Sequence, residues 1–145
     1  MDEEAPTISI IMPIYDEDLN FFSMALESIF NQTFQQFELI IIDDSSDPQC
    51  EMHLIEYFGD DIRLKYYKNN QRIGLTKSLN LGLLYSSGDY ICRMDSDDIA
   101  AIDRLERQLA FLKDYQNIDV VGSNIYLIDQ ESLPIGLRKY PKSNG

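Results

Sequence analysis

Long apolar runs, paired cysteines and basic residues are all scarce in this chain of 145 residues, and each scarcity removes a class of protein. No stretch approaches the ~20 consecutive apolar residues that cross a bilayer, so no transmembrane segment is expected. The opening residues, Met1-Asp2-Glu3-Glu4-Ala5-Pro6, are acidic and lack the basic-then-apolar order of a signal peptide. Neither of the two cysteines, Cys50 and Cys92, belongs to a CxxC motif. Cys92 lies in an apolar run and is expected as a buried free thiol, the usual state in the cytosol. His53 is the single histidine and is expected to be structural, which leaves a Ser-His-Asp or Cys-His device without a credible base. Only 12 Lys and Arg stand against 25 Asp and Glu, a net charge of −13. A field of that sign repels phosphate backbones and anionic lipid, so nucleic acid is not an expected partner. Two phosphate-binding motifs are missing as well. No GxGxxG follows the first predicted strand, and Lys77 follows Thr76 rather than the glycine of a GxxxxGK[ST] loop.

What remains is ordinary globular material. With 44% apolar and 26% charged residues the chain suits one domain with a proper core, and disorder, collagen-like repeats and a disulfide-stapled miniprotein are excluded. Ile8 to Ile14 and Phe37 to Ile42 are near-continuous apolar runs, as expected of strands covered on both faces in a parallel sheet. Between them Leu19, Phe22, Leu26, Ile29 and Phe30 recur at helical spacing behind the capping acids Asp16 to Asp18. The alternation continues with a helix over 48–58, a strand over 62–67, a helix marked by Leu75, Leu79 and Leu83, and a strand over 89–94. A helix marked by Ile102, Leu105, Leu109 and Leu112 follows, and Val120 to Ile125 begins a fifth strand. Alternating β and α elements predict an α/β protein, a three-layer α/β/α sandwich with a mostly parallel sheet. From Asp129 to Gly145 the pattern changes to a turn and an extended segment, with no helix to complete another unit. The architecture is expected to be truncated there, which would expose a sheet edge and favour a homo-oligomer.

In open parallel sheets ligands bind beyond the carboxyl ends of the strands. The polar residues cluster there: Pro13-Ile14-Tyr15-Asp16, Asp43-Asp44-Ser45-Ser46, Lys68 to Gly74, and Asp95-Ser96-Asp97-Asp98. Charge is also segregated, with seven carboxylates and no Lys or Arg from Asp43 to Asp61, then five cations and no carboxylate from Arg63 to Lys77. Asp95 and Asp97, separated by one residue, suit a hard divalent cation such as Mn²⁺ or Mg²⁺, whose remaining positions phosphate oxygens fill. The bland alternative is that Ser96 to Asp98 cap the next helix. Asp43 and Asp44 could accept hydrogen bonds from a base or ribose, or form a solvated turn. Arg72 and Lys77 could meet phosphate at a helix start, or be surface charge.

Taken in order, these strand ends resemble glycosyltransferase family 2, inverting enzymes with a Rossmann-like GT-A fold. Ile10-Ile11-Met12-Pro13-Ile14-Tyr15 resembles the family's first strand and Pro-x-Tyr turn, and Ile41-Ile42-Asp43-Asp44-Ser45-Ser46 its aspartate pair. Asn70, Gly74-Leu75-Thr76 and Asn80 resemble its Asn-x-Gly turn and following helix. Gly88-Asp89-Tyr90-Ile91 and Arg93 to Asp98 resemble the strand leading into its DxD motif, followed by Arg104 to Gln108 and Val120-Val121-Gly122. The resemblance implies residues 7–129 as a nucleotide-sugar-binding half-domain, with a tail at 1–6 and the start of an acceptor-binding part at 130–145. It implies that Pro13, Tyr15, Asp43, Asp44, Asn70, Gly74, Lys77, Asp95 and Ser96 bind a nucleoside-diphosphate sugar, with a UDP-sugar favoured. Asp97 and Asp95 would hold Mn²⁺ or Mg²⁺. The acceptor would be a glycan or lipid-linked hydroxyl in cell-surface polysaccharide or glycoconjugate synthesis. The setting would be cytoplasmic, reaching the inner membrane face through regions outside this chain.

The sequence departs from the family at Asp16, where asparagine is commoner, and offers no matching carboxylate for the general base. Weak activity or none is therefore expected of the chain alone. A Mg²⁺-dependent phosphoacceptor receiver domain is the alternative from another class, but a complete strand and helix precede the acidic strand here. A sugar-phosphate nucleotidyltransferase-like domain lacks its glycine-rich first loop.

Overall fold

The computed structural model describes residues 5–142. These form two compact units, one running to Arg104 and one beginning at Leu105. The first contains β1 (Ile8–Ile14), α1 (Leu19–Phe30), β2 (Phe37–Asp43), α2 (Gln49–Phe58), β3 (Leu64–Lys68), α3 (Leu75–Tyr85) and β4 (Tyr90–Arg93). Its four strands are all parallel, in the order β3-β2-β1-β4. Right-handed crossovers carry the chain from β1 outward to β3, which puts α1 and α2 on one face, and then back across the sheet, which puts α3 on the other. The three-layer sandwich expected from the sequence is present in this unit.

Local chemistry explains the elements. Every residue of β2 is buried, as its unbroken apolar run requires between two neighbouring strands. Asp18 caps α1 by accepting from the amides of Asn20 and Phe21. Pro48 precedes α2, where a missing N–H does no harm. His53 is structural: its Nε2 lies 2.5 Å from Ser23 Oγ on α1, and its ring packs on Tyr57. Cys50, not Cys92, is the fully buried thiol, because Cys92 sits on β4 at the sheet's edge.

α3 turns a different face to the sheet from the one its leucines mark. Leu75 is 53% and Leu83 51% exposed, whereas Ser78 and Gly82 are buried. The reason is distance: a side chain at Gly82 would collide with Ile11 of β1, so only small residues let the helix lie this close. At the far end of α3, Glu38 of β2 ties three strands and the α3–β4 turn together. It accepts from Ser9 Oγ at 2.6 Å, Ser87 N at 2.7 Å and Ser87 Oγ at 2.9 Å, and pairs with Lys65. Burial opposes its charge, yet these partners hold its carboxyl down at about 2.

The second unit holds all but the first residue of α4 (Arg104–Asp114) and an antiparallel hairpin of β5 (Ile125–Ile128) and β6 (Pro134–Arg138). The strand expected from Val120 begins only at Ile125, and Val120 is 85% exposed. Pairing starts where Ile125 meets Arg138, and beyond Arg138 the chain soon reaches Pro141, which has no N–H to extend the ladder.

Candidate functional site

The carboxyl ends of the four parallel strands carry the residues singled out above, all within the first unit. At the end of β2, Asp43 is 0% exposed. The register sets it beside Lys68, with Tyr66 two residues back on the same face of β3. Its Oδ2 accepts from Tyr66 Oη at 2.6 Å and Lys68 Nζ at 2.9 Å, and its Oδ1 from Ser45 N at 2.8 Å. Burial alone would raise its pKa, but these donors outweigh it and hold the group ionised below the ordinary carboxylate range. Burial, and then the same carboxylate, push the Tyr66 phenol upward, so it remains a donor.

Asp44 organises the β3–α3 loop. Its Oδ1 accepts from Asn69 Nδ2 at 3.0 Å and Ile73 N at 2.8 Å, and its Oδ2 from Gly74 N at 2.8 Å. Here too burial opposes ionisation and the hydrogen bonds, led by the two amides, lower the pKa. Gly74 has φ 84, a conformation that glycine adopts without strain, and it delivers its amide to Asp44 while starting α3. Asn70 and Lys77 are exposed on this loop and on the first turn of α3.

At the end of β1, Met94 N donates to Ile11 O and Asp44 N to Ile14 O. Alternate residues of β1 therefore address β4 and β2, and Pro13, two on from Ile11, falls beyond the last residue of β4, where its missing donor breaks no ladder bond. Tyr15 is 43% exposed, with the Arg72 guanidinium carbon 4.1 Å from its ring centroid. Ser45 Oγ accepts from Asp16 N at 2.8 Å, joining the β1 and β2 ends.

At the end of β4 the carboxylates face outward. Asp95, Asp97 and Asp98 are exposed, with Ser96 buried between them. Arg93 reaches Asp95 Oδ1 from Nε at 3.2 Å and Nη2 at 3.1 Å. Partial burial, then the negative charges of Asp97 and Asp95, raise the pKa of Asp98. α4 begins only at Arg104, so these residues do not cap it. Among the described residues no group of three or more such side chains could hold a metal ion. Two exposed carboxylates at the end of a strand, one of them partly countered by Arg93, nonetheless fit a hard cation that takes one or two protein oxygens and completes its shell from phosphate.

The structure thus links Tyr15, Asp43, Asp44 and Gly74 through short contacts across the β1, β2 and β3 ends. It joins Asp95 to Asp98 to them through the backbone of β1. Tyr66 was missed by sequence reasoning and Lys68 entered it only as part of a strand-end cluster, although their alternation along β3 puts both on the face of Asp43 once the register is known.

Comparison with known proteins bears on the family and the fold. The model of Glycosyl transferase family 2 matches residues 9–143. A UDP-Glc:alpha-D-GlcNAc-diphosphoundecaprenol beta-1,3-glucosyltransferase of Escherichia coli is 32% identical over 126 residues, which cover 87% of this chain and 48% of that protein. A bifunctional glycosyltransferase of Dictyostelium discoideum is 34% identical, covering 90% of this chain and 19% of its own length. S. aureus TarS 1-349, solved in complex with UDP-GlcNAc, superposes with a TM-score of 0.68 at 25% identity, over 76% of this chain and 32% of that one. The mannosyltransferase PcManGT from Pyrobaculum calidifontis, solved with GDP-Man and Mn²⁺, shares the fold with a TM-score of 0.68 at 19% identity, over 88% of this chain and 36% of that one. The chain therefore spans about half or less of the length of these relatives. Among the described residues no helix is long and apolar enough to cross a membrane. Its sequence and its sheet together show that the chain belongs to glycosyltransferase family 2.

Proposed function

We propose that this chain is the donor-binding part of a metal-dependent glycosyltransferase that transfers sugar from a nucleoside-diphosphate sugar to an acceptor hydroxyl. The observation that carries the proposal is the division of labour at one sheet edge. Tyr15 lies against Arg72 and Asp44 ties the β3–α3 loop, while Asp95 and Asp97 stand exposed at the end of β4; in this reading the two groups are the walls of one donor pocket. In this reading Pro13, Tyr15, Asn70 and Asp44 bound the base and ribose. Asp43, whose two oxygens are engaged by Ser45, Tyr66 and Lys68, fixes the pocket from beneath. Gly74, Lys77 and Ser96 approach the diphosphate, and Asp97 with Asp95 holds Mn²⁺ or Mg²⁺. Once bound, that cation would supply Lewis-acid stabilisation of the departing nucleoside diphosphate.

UDP is the favoured nucleotide, because a neighbour at 25% identity was solved with UDP-GlcNAc. A glycan or lipid-linked acceptor fits the diphosphoundecaprenol substrate named for the E. coli relative. Inverting transfer needs a general base, and none of these residues is assigned that role. The 145-residue chain is expected to bind donor and turn over poorly.

Thermal unfolding with Mn²⁺, with UDP and with both tests the reading. Ligand at ~100 times its dissociation constant stabilises a fold by about 2.7 kcal/mol. A rise in midpoint that needs both components and disappears in Asp97→Ala supports the proposal. No rise with any nucleoside diphosphate refutes it for this chain.

A further inference from the structure

The loop that carries the candidate metal ligands is fastened at both ends. Where it leaves β4, Met94 N donates to Ile11 O at 3.1 Å, and Arg104 Nη2 donates to Arg93 O at 3.1 Å. At the other end three groups at the C-terminal end of α1 receive it. Ser28 Oγ accepts from Ala100 N at 3.0 Å, Gln32 Nε2 donates to Ala101 O at 2.7 Å, and Thr33 N donates to Ile102 O at 2.9 Å.

These anchors are themselves fixed in direction. The Ser28 hydroxyl donates to Ala25 O at 2.8 Å, which turns its lone pairs toward Ala100. Gln32 is 2% exposed, and the same amide nitrogen also donates to Ser28 O at 2.9 Å, so both its hydrogens are used. Ala100 is buried. Between the anchors run only residues 95–99, closed by Asp98 N to Asp95 O at 3.3 Å, and Asp97 stands three positions before Ala100. The span is short, closed on itself and fastened at both ends, so a displacement at α1 is expected to reach the aspartates.

We propose that Ser28 and Gln32 are positioning residues for the metal–diphosphate site, setting the placement of Asp95 and Asp97 through the backbone at Ala100 and Ala101. The inference rests on the donor-binding reading above. Neither residue touches donor or metal in this account. They act as outer-shell groups do elsewhere, where losing one lowers metal affinity about 10–100-fold.

The test uses the 145-residue chain, UDP and Mn²⁺. UDP affinity is measured with and without Mn²⁺, and the quantity read is the ratio between the two, alongside the electron paramagnetic resonance signal of bound Mn²⁺. Ser28→Ala and Gln32→Ala are expected to reduce that ratio about tenfold while leaving metal-free UDP affinity unchanged. Ser28→Thr, which keeps the hydroxyl, restores it. Ser23→Ala is the control: it lies on the same helix, loses its contact with His53, and should lower the unfolding midpoint without moving the ratio. If Gln32→Ala does not fold, the Ser28 pair decides alone. An unchanged ratio in folded Ser28→Ala, or an equal loss in Ser23→Ala, overturns the proposal. If the wild-type ratio is one, the donor-binding reading itself fails, and this proposal falls with it.

Discussion

Two aspartate clusters end two parallel strands of one sheet, and their environments are opposite. At the end of β2, Asp43 and Asp44 are buried, ionised and saturated with donors. At the end of β4, Asp95, Asp97 and Asp98 are exposed, and partial burial followed by the neighbouring carboxylates raises the pKa of Asp98. Position in the sheet accounts for the contrast. β2 is interior, so β3 can bring Tyr66 and Lys68 alongside Asp43, and the loop after β3 can fold its amides onto Asp44. β4 lies at the edge of the same sheet with a strand on one side only. Like residues at like strand ends thus divide into those tied down by hydrogen-bond donors and those left open to solvent, where the Asp95 carboxylate is reached by Arg93. The lesson is that an acidic pair in a sequence is not evidence of a ligand until its donors are counted.

The largest effect expected is that of Asp43→Ala. It takes the acceptor from the half-buried Tyr66 hydroxyl and from the Ser45 amide, while the exposed Lys68 turns to water, and should lower stability by about 2 kcal/mol, read by chemical denaturation. A loss as small as that of a surface substitution would break the comparison.

Acid separates the clusters by sign. Asp43 and Asp44 titrate below their unfolded values, so their stabilisation is complete above the unfolded carboxylate pKa and is lost as pH falls through the folded one. Glu38 behaves alike, its contribution fading between about 4.5 and about 2. Asp98 titrates above its unfolded value, so its contribution has the opposite sign: protonation relieves it, and it adds stability as pH falls. Carboxyl chemical shifts followed through an acid titration should move Asp43 and Asp44 at lower pH than Asp98. The reverse order would remove the basis of the contrast.

Gly74→Ala comes next. A Cβ there meets nothing within 4 Å, so the penalty is conformational, about 1 kcal/mol from the positive φ. It should also weaken UDP binding by loosening the loop that Asp44 holds. The smallest effect on folding belongs to Asp97→Ala, expected within about 0.5 kcal/mol of the parent because the side chain is exposed. That variant sharpens the comparison from the other side, since it should abolish the Mn²⁺-dependent gain in UDP binding.

Much of this was legible in the sequence. The apolar runs of β1 and β2, the caps at Asp18 and Pro48 and the clustering of polar residues at strand ends are all local patterns, and local patterns survive in one dimension. The buried face of α3 was not legible. A leucine every four residues looks like a core stripe, but close approach to β1 selects Ser78 and Gly82, a packing effect that periodicity does not encode. Nor could the sequence separate Asp43 from Asp97, because the donors that saturate Asp43 come from β3, more than 20 residues away, and depend on the register. The α1 anchors of the aspartate loop were hidden for the same reason, with Gln32 and Ala101 separated by 69 positions.

The burial of β2 sets an order of events under stress. A strand with a parallel partner on each side and no exposed residue exchanges its amide hydrogens only when the whole sheet opens, whereas an edge strand can fray locally. Slowest exchange should therefore fall at Leu39 to Ile42. On warming, the strand that leads into the outward-facing aspartates would loosen while Asp43 still stands, so under the proposed function a cation would be released before a base.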